Sequence, residues 1–171
     1  MKLDDVTVHE CRAFPGDWAL DPFEVSAALR AVTFDGTLRV LELGAGTGTA
    51  CMLDVLDARG IPFQYVSYES DPRWVSRSPR VETRLWTCFP VVIDGGPFDL
   101  VIIDGPTGVT RERWYPLLPP VVRPGTILLI DDYGHYPEFG RALDAALEHD
   151  TVDEYRAGAT SGVTWKIVRV R

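Results

Sequence analysis

A short apolar run that breaks into clustered glycines constrains this chain more than any other stretch. Leu38, Val40, Leu41 and Leu43 read as a buried strand. The run stops at Gly44, Gly46 and Gly48, with Ala45 between the first two. Glycines there let the backbone turn sharply and let a ligand approach the main chain. Helical spacing resumes at Cys51, Met52, Val55 and Leu56. Strand, glycine loop and helix in that order describe a nucleotide-type cofactor site at the carboxyl end of a parallel strand.

The remaining pattern repeats the alternation. Asp21-Pro22-Phe23-Glu24 is a helix start, with Asp21 as N-cap, and the helix runs to about Val32. Strands are predicted over 63–68, 81–86, 98–103 and 126–130, each a compact apolar or β-branched run. A short helical turn is predicted over 72–78, and a proline-interrupted helix over 111–122. Pro90, Gly95, Gly96 and Pro97 forbid a long helix between the third and fourth strands. Phe139, Leu143, Ala146 and Leu147 share one side of a helix over 137–148. Strands over 152–156 and 163–170, joined through Gly158–Gly162, close the chain as an antiparallel hairpin. The fold class is therefore α/β: a Rossmann-like, doubly wound, mostly parallel sheet with a C-terminal antiparallel hairpin. One domain over 1–171 is expected, with an N-terminal cap and helix over 1–37 and the core over 38–171.

Charge narrows the partners. A net charge of −8, with no dense Lys/Arg run, argues against a nucleic-acid substrate, because phosphate neutralisation needs a basic face. No apolar run reaches transmembrane length, and the amino terminus lacks a signal-peptide core, so no membrane partner and a cytoplasmic location are expected. Cys11, Cys51 and Cys88 are scattered without metal-ligand spacing, which reads as reduced thiols, with Cys51 in packing. No pattern encodes the oligomeric state, and a homo-oligomer stays open.

Acidic residues mark the expected strand ends. Glu69, followed by Ser70, stands at the tip of the second strand, where a carboxylate suits two ribose hydroxyls. Asp104 follows the fourth strand; Asp131 and Asp132 follow the fifth. A doubly wound sheet opens those loops on the edge that carries the glycine loop. Three nearby carboxylates repel one another unless protons or a cation neutralise them, and a hard divalent ion such as Mg²⁺ prefers oxygen ligands. Plainer roles stay open: Asp104 as a turn residue, one of the Asp131-Asp132 pair as a helix cap, His135 as a solvated loop residue, Arg111 and Arg113 as solvated helix charges.

A dinucleotide fingerprint needs glycine where Thr49 stands, and the third glycine falls one residue early at Gly48. The spacing Glu42-x-Gly44-x-Gly46-x-Gly48 instead resembles motif I of class I S-adenosylmethionine-dependent methyltransferases. That resemblance implies a loop passing under the methionine part of the cofactor, with Glu42 helping to hold its polar end. Glu69 and Ser70 would then meet the ribose, and Trp86 would lie near the adenine. The three aspartates resemble the metal ligands of catechol-type O-methyltransferases and of the branch that methylates macrolide sugars. The resemblance implies that Asp104, Asp131 and Asp132 bind the metal and that a small-molecule hydroxyl is the acceptor. Catechol-type enzymes carry a catalytic lysine where this chain has Thr107. His135 is the substitute base, since an unperturbed imidazole titrates near neutrality, or bulk water takes the proton. The rival readings are a metal-independent methyltransferase acting on nitrogen or oxygen, and a non-catalytic cofactor-binding module. A nicotinamide oxidoreductase is set aside by Thr49 and the terminal hairpin.

Overall fold

A computed structural model describes residues 1, 3, 20, 22–89, 91–106, 109–136, 138–156 and 163–171. The expected cap over 1–20 lies outside these residues apart from Met1, Leu3 and Leu20, as do Asp21, Thr107 and the Gly158–Gly162 connection.

One sheet carries seven strands: β1 (Leu38–Leu43), β2 (Phe63–Glu69), β3 (Val81–Leu85), β4 (Leu100–Ile103), β5 (Ile127–Asp131), β6 (His149–Arg156) and β7 (Val163–Val170). Their spatial order is β3-β2-β1-β4-β5-β7-β6. Strands β1 to β5 are parallel neighbours, and β7 runs antiparallel to both β5 and β6. The doubly wound sheet and closing hairpin expected from the sequence are both present. The path leaves β1 toward β2 on one side and returns to β4 on the other. A crevice between the carboxyl ends of β1 and β4 is the geometric consequence.

Side chains alternate across the sheet and fill two layers. Leu38, Val40, Leu100, Ile102, Ile127 and Leu129 pack beneath α1 (Pro22–Ala31) and α2 (Thr47–Ala58). Leu41, Leu43, Val101, Ile103, Leu128 and Ile130 face the opposite layer, which includes Trp114, Tyr115, Phe139 and Leu143. All four residues of β4 are fully buried. Each such side chain contributes roughly 1.5–3 kcal/mol by leaving water, so the central strands anchor the loops that follow them.

Several local expectations change. Val109–Leu117 and Pro119–Val121 form 3-10 helices rather than an α-helix. Pro116, Pro119 and Pro120 lack the N–H groups that an α-helical ladder needs. At 72–78 the chain makes a turn, with Trp74 N donating to Asp71 O and Arg73 N to Asp71 Oδ1, in place of a helical turn. The fifth strand starts and ends one residue later than expected, so Asp131 is its last residue. As expected, the described residues between β3 and β4 build no helix. Cys51 is buried and disulfide-bonded whereas Cys88 is free, against the expectation of reduced thiols throughout. Among the described residues no helix is long and apolar enough to cross a membrane. The helix α3 (Glu138–Ala146) buries Phe139 and Leu143, as its spacing requires.

Candidate active site

The glycine loop owes its shape to contacts within the protein as much as to any ligand. Gly44 has φ +101°, and a Cβ there would stand 2.4 Å from the Cα and N of Gly105. The two loops after β1 and β4 thus meet backbone to backbone. Gly105 N donates to Leu43 O at 2.7 Å and Asp104 N to the same oxygen at 3.0 Å, which fixes their relative height. Gly48 lies against the Leu20 side chain, 2.6 Å from where its Cβ would be. Gly46 differs from both. Its backbone is extended, and a Cβ would meet nothing within 4 Å among the described residues. Of the three glycines, only Gly46 opens onto space.

Glu42 lies beneath this loop and is 1% exposed. Strand alternation puts it under the first turn of α2, where the Thr49 hydroxyl donates to Oε2 at 2.8 Å. Thr49 Oγ1 in turn accepts from Gly46 N at 3.1 Å. Burial pushes the Glu42 carboxyl up to about 7; the Thr49 hydroxyl opposes that rise. Glu42 therefore braces the loop from below rather than lining the crevice.

At the tip of β2, Glu69 is 7% exposed and bridges two loops. Its Oε2 accepts from Ala45 N at 2.7 Å. Its Oε1 accepts from Ser70 N and Asp71 N, each at 2.6 Å. A carboxylate holding three backbone amides is a strong, charge-assisted arrangement. Trp86 follows β3, half-buried, with its ring centroid 4.7 Å from Phe89 and 5.2 Å from Trp114. Its indole N–H is buried and finds no hydrogen-bond partner among the described residues. A buried donor left in that state costs on the order of 1–3 kcal/mol, so an acceptor brought there by a ligand would relieve it.

The acidic residues at the ends of β4 and β5 come together in part. Asp104 and Asp131 are hydrogen-bonded carboxyls. Burial, and next the neighbouring Asp131, push Asp104 well above the usual carboxylate range. Burial raises Asp131 too, while its bond to Asp104 draws it back. Asp132 turns elsewhere. It has φ +54° and presents Oδ1 to His135 Nδ1 at 2.8 Å.

Arg111 is the residue that sequence reasoning misjudged. Expected on a solvated helix face, it is 2% exposed. Its Nη2 donates to Asp104 O at 2.7 Å, Nη1 to Asp131 O at 3.0 Å and Nε to Pro106 O at 3.2 Å. The same guanidinium lies 3.5 Å from Asp132 Oδ2 and 4.0 Å from Asp131 Oδ2. One signal pointed to it: three uncompensated carboxylates demand a cation, and Arg111 is the nearest basic residue after Asp104.

The expected metal centre finds no support in this arrangement. Among the described residues no group of three or more His, Cys, Asp or Glu side chains could hold a metal ion. The reason is local: Asp132 is engaged by His135 and Arg111, and a fixed positive charge already stands beside the cluster. Asp104, Asp131 and Asp132 as found here do not fit a divalent ion. A separate groove of about 640 Å³ runs along β2 and β3, lined by Arg39, Arg80, Arg84 and Phe98 among others. Its arginines are engaged by Gly95 O, Asp57 and Glu82 respectively, and it lies away from the β1–β4 crevice, so it is not the candidate site.

Comparison with known proteins places this geometry in a fold. No family model matches the chain, and no curated protein sequence does. Solved structures do. The precorrin-6y C5,15-methyltransferase of Geobacter metallireducens GS-15 is similar over 93% of this chain and 93% of its own, with a TM-score of 0.62 at 13% identity. Cofactor-bound Rv0187 from MTB gives 0.59 at 19% identity over 94% and 83% of the two chains. The N-methyltransferase NodS of Bradyrhizobium japonicum WM9 gives 0.56 at 14% identity over 86% and 94%. The chain has the class I methyltransferase fold. Within that fold, Gly46, Glu69 and Asp104 follow or end three different strands at one edge of the sheet, the edge where doubly wound sheets bind their ligands.

Proposed function

We propose that this protein is an S-adenosylmethionine-dependent methyltransferase that methylates a small-molecule hydroxyl without a divalent metal. The observation that carries the reading is Gly46, which opens onto space at the switch point of a β3-β2-β1-β4-β5-β7-β6 sheet, with the Glu69 carboxylate beside it. The bound cofactor would supply a methyl group already activated by its sulfonium. The chain's own residues position and deprotonate. Glu69 would exchange its bond to Ala45 N for the ribose hydroxyls, freeing that amide for the cofactor's polar end. Ser70 borders the same turn. The unpartnered Trp86 indole N–H would meet an acceptor on the adenine. Gly44 and Gly48 keep the loop low, and Glu42 holds it through Thr49.

The acceptor hydroxyl would enter from the β5 side. His135 is the base: with its Nδ1–H donated to Asp132, Nε2 is left with a lone pair on a 68% exposed side chain. Asp132 fixes that ring orientation. Asp104 would border the acceptor's entry as a hydrogen-bonding group. Positioning two reactants in line supplies much of the rate in such a transfer.

Calorimetric titration with S-adenosylmethionine and S-adenosylhomocysteine tests the reading, and micromolar binding of both is expected. Glu69→Ala should weaken binding at least about tenfold, roughly 1.4 kcal/mol. Gly46→Leu should do the same while its melting temperature stays close to wild type, since the extended backbone accepts any residue and the added side chain fills only the open space. No binding of either compound by the wild-type chain would overturn the proposal. Turnover across a panel of phenols and sugars then separates an enzyme from a binding module.

A further inference from the structure

At the ends of β4 and β5 the chain supplies its own cation, 3.5 Å from the Asp132 carboxylate and 4.0 Å from that of Asp131, with the Asp104 carboxyl next to Asp131. Arg111 reaches them from the 3-10 segment Val109–Leu117, buried from water. Its fork is used on both strands: the carbonyls of Asp104 and Pro106 belong to the loop after β4, and that of Asp131 to β5. The guanidinium also lies over the Phe139 ring, 5.9 Å from its centroid. A guanidinium stays charged at any working pH and cannot be titrated away. A divalent ion approaching these aspartates would face that fixed charge within contact distance of Asp132.

We propose that Arg111 is the resident cation of this cluster, filling the charge-neutralising place that a divalent ion would otherwise take and clamping the β4 and β5 loops so that Asp132 presents His135. The inference rests on the functional reading only in taking this edge as the reaction site. Neither ion binding nor thermal stability requires cofactor or turnover, so either idea can fail alone.

The test is Mn²⁺ titration of the full chain, read as loss of the free-ion electron paramagnetic resonance signal. The wild-type protein should leave that signal undiminished up to millimolar Mn²⁺ and melt at the same temperature in chelator as in Mg²⁺. Arg111→Lys keeps the charge but not the fork. It should stay blind to Mn²⁺ while melting roughly 5 °C lower. Arg111→Met removes the charge and should bind Mn²⁺ at least tenfold more tightly than Arg111→Lys, with the gain abolished by adding Asp131→Asn. Should Arg111→Met not fold, Arg111→Gln is the second neutral variant. Wild-type uptake of one Mn²⁺ that disappears in Asp131→Asn would overturn the proposal. So would a neutral variant no better at binding Mn²⁺ than Arg111→Lys. Weak uptake that survives Asp131→Asn lies elsewhere on this acidic surface and, with the Arg111→Met gain, supports it.

Discussion

Gly44→Ala should lower the stability of this protein by about 3–5 kcal/mol, enough to leave much of a marginally stable domain unfolded. Two costs add. The backbone sits at φ +101°, where a side chain is strained. The new Cβ would also stand 2.4 Å from Gly105 backbone atoms on the facing loop. Backbone cannot swing aside as a side-chain tip can, so β1 and β4 would have to part. Gly60→Ala is the control. It has φ +61° and open space around its Cβ position, so it carries the strain alone, about 1 kcal/mol. Urea denaturation of both variants measures the difference. Equal losses would show that the contact between the two loops imposes no constraint.

Glu42→Gln should stabilise the protein, and only above acidic pH. In the unfolded chain this carboxyl ionises near 4.5, whereas in the folded protein burial raises it to about 7. Between those values the folded state holds the extra proton, so stability falls as pH rises through the window. Above it, the buried charge costs on the order of 3 kcal/mol. Glutamine has no proton to lose and still accepts from Thr49. Wild type and variant should therefore denature alike near pH 4 and diverge by about that amount near pH 8. Parallel stability curves across the range would sink the argument.

The sheet was readable because its strands are dense apolar runs. Val101, Ile102 and Ile103, or Leu128, Leu129 and Ile130, have few other places to go in a chain of this size. The closing hairpin was readable from alternation around Gly158–Gly162. What the residue pattern hid was pairing across distance. Gly44 and Gly105 touch over a span that no local spacing encodes. Leu20 reaches the third glycine from outside the motif. Arg111 sits among prolines in a segment with weak helical character, so an exposed face was the natural expectation; its destination depends on three carbonyls that only the assembled sheet brings together. The same limit explains the metal expectation. The count of aspartates was right, but a count carries no information about a counter-charge arriving from another element.

The placement of β7 between β5 and β6 bears on how the molecule is made. Among the described residues strand β6 pairs with β7 alone, although it precedes β7 in the chain. During synthesis on the ribosome, β6 emerges with nothing to hydrogen-bond to, and its long exposed edge waits for Val163–Val170 to follow. Assembly should thus be vectorial, with the loops after β1, β2 and β4 taking shape before the last strand acts as the latch that fastens its predecessor.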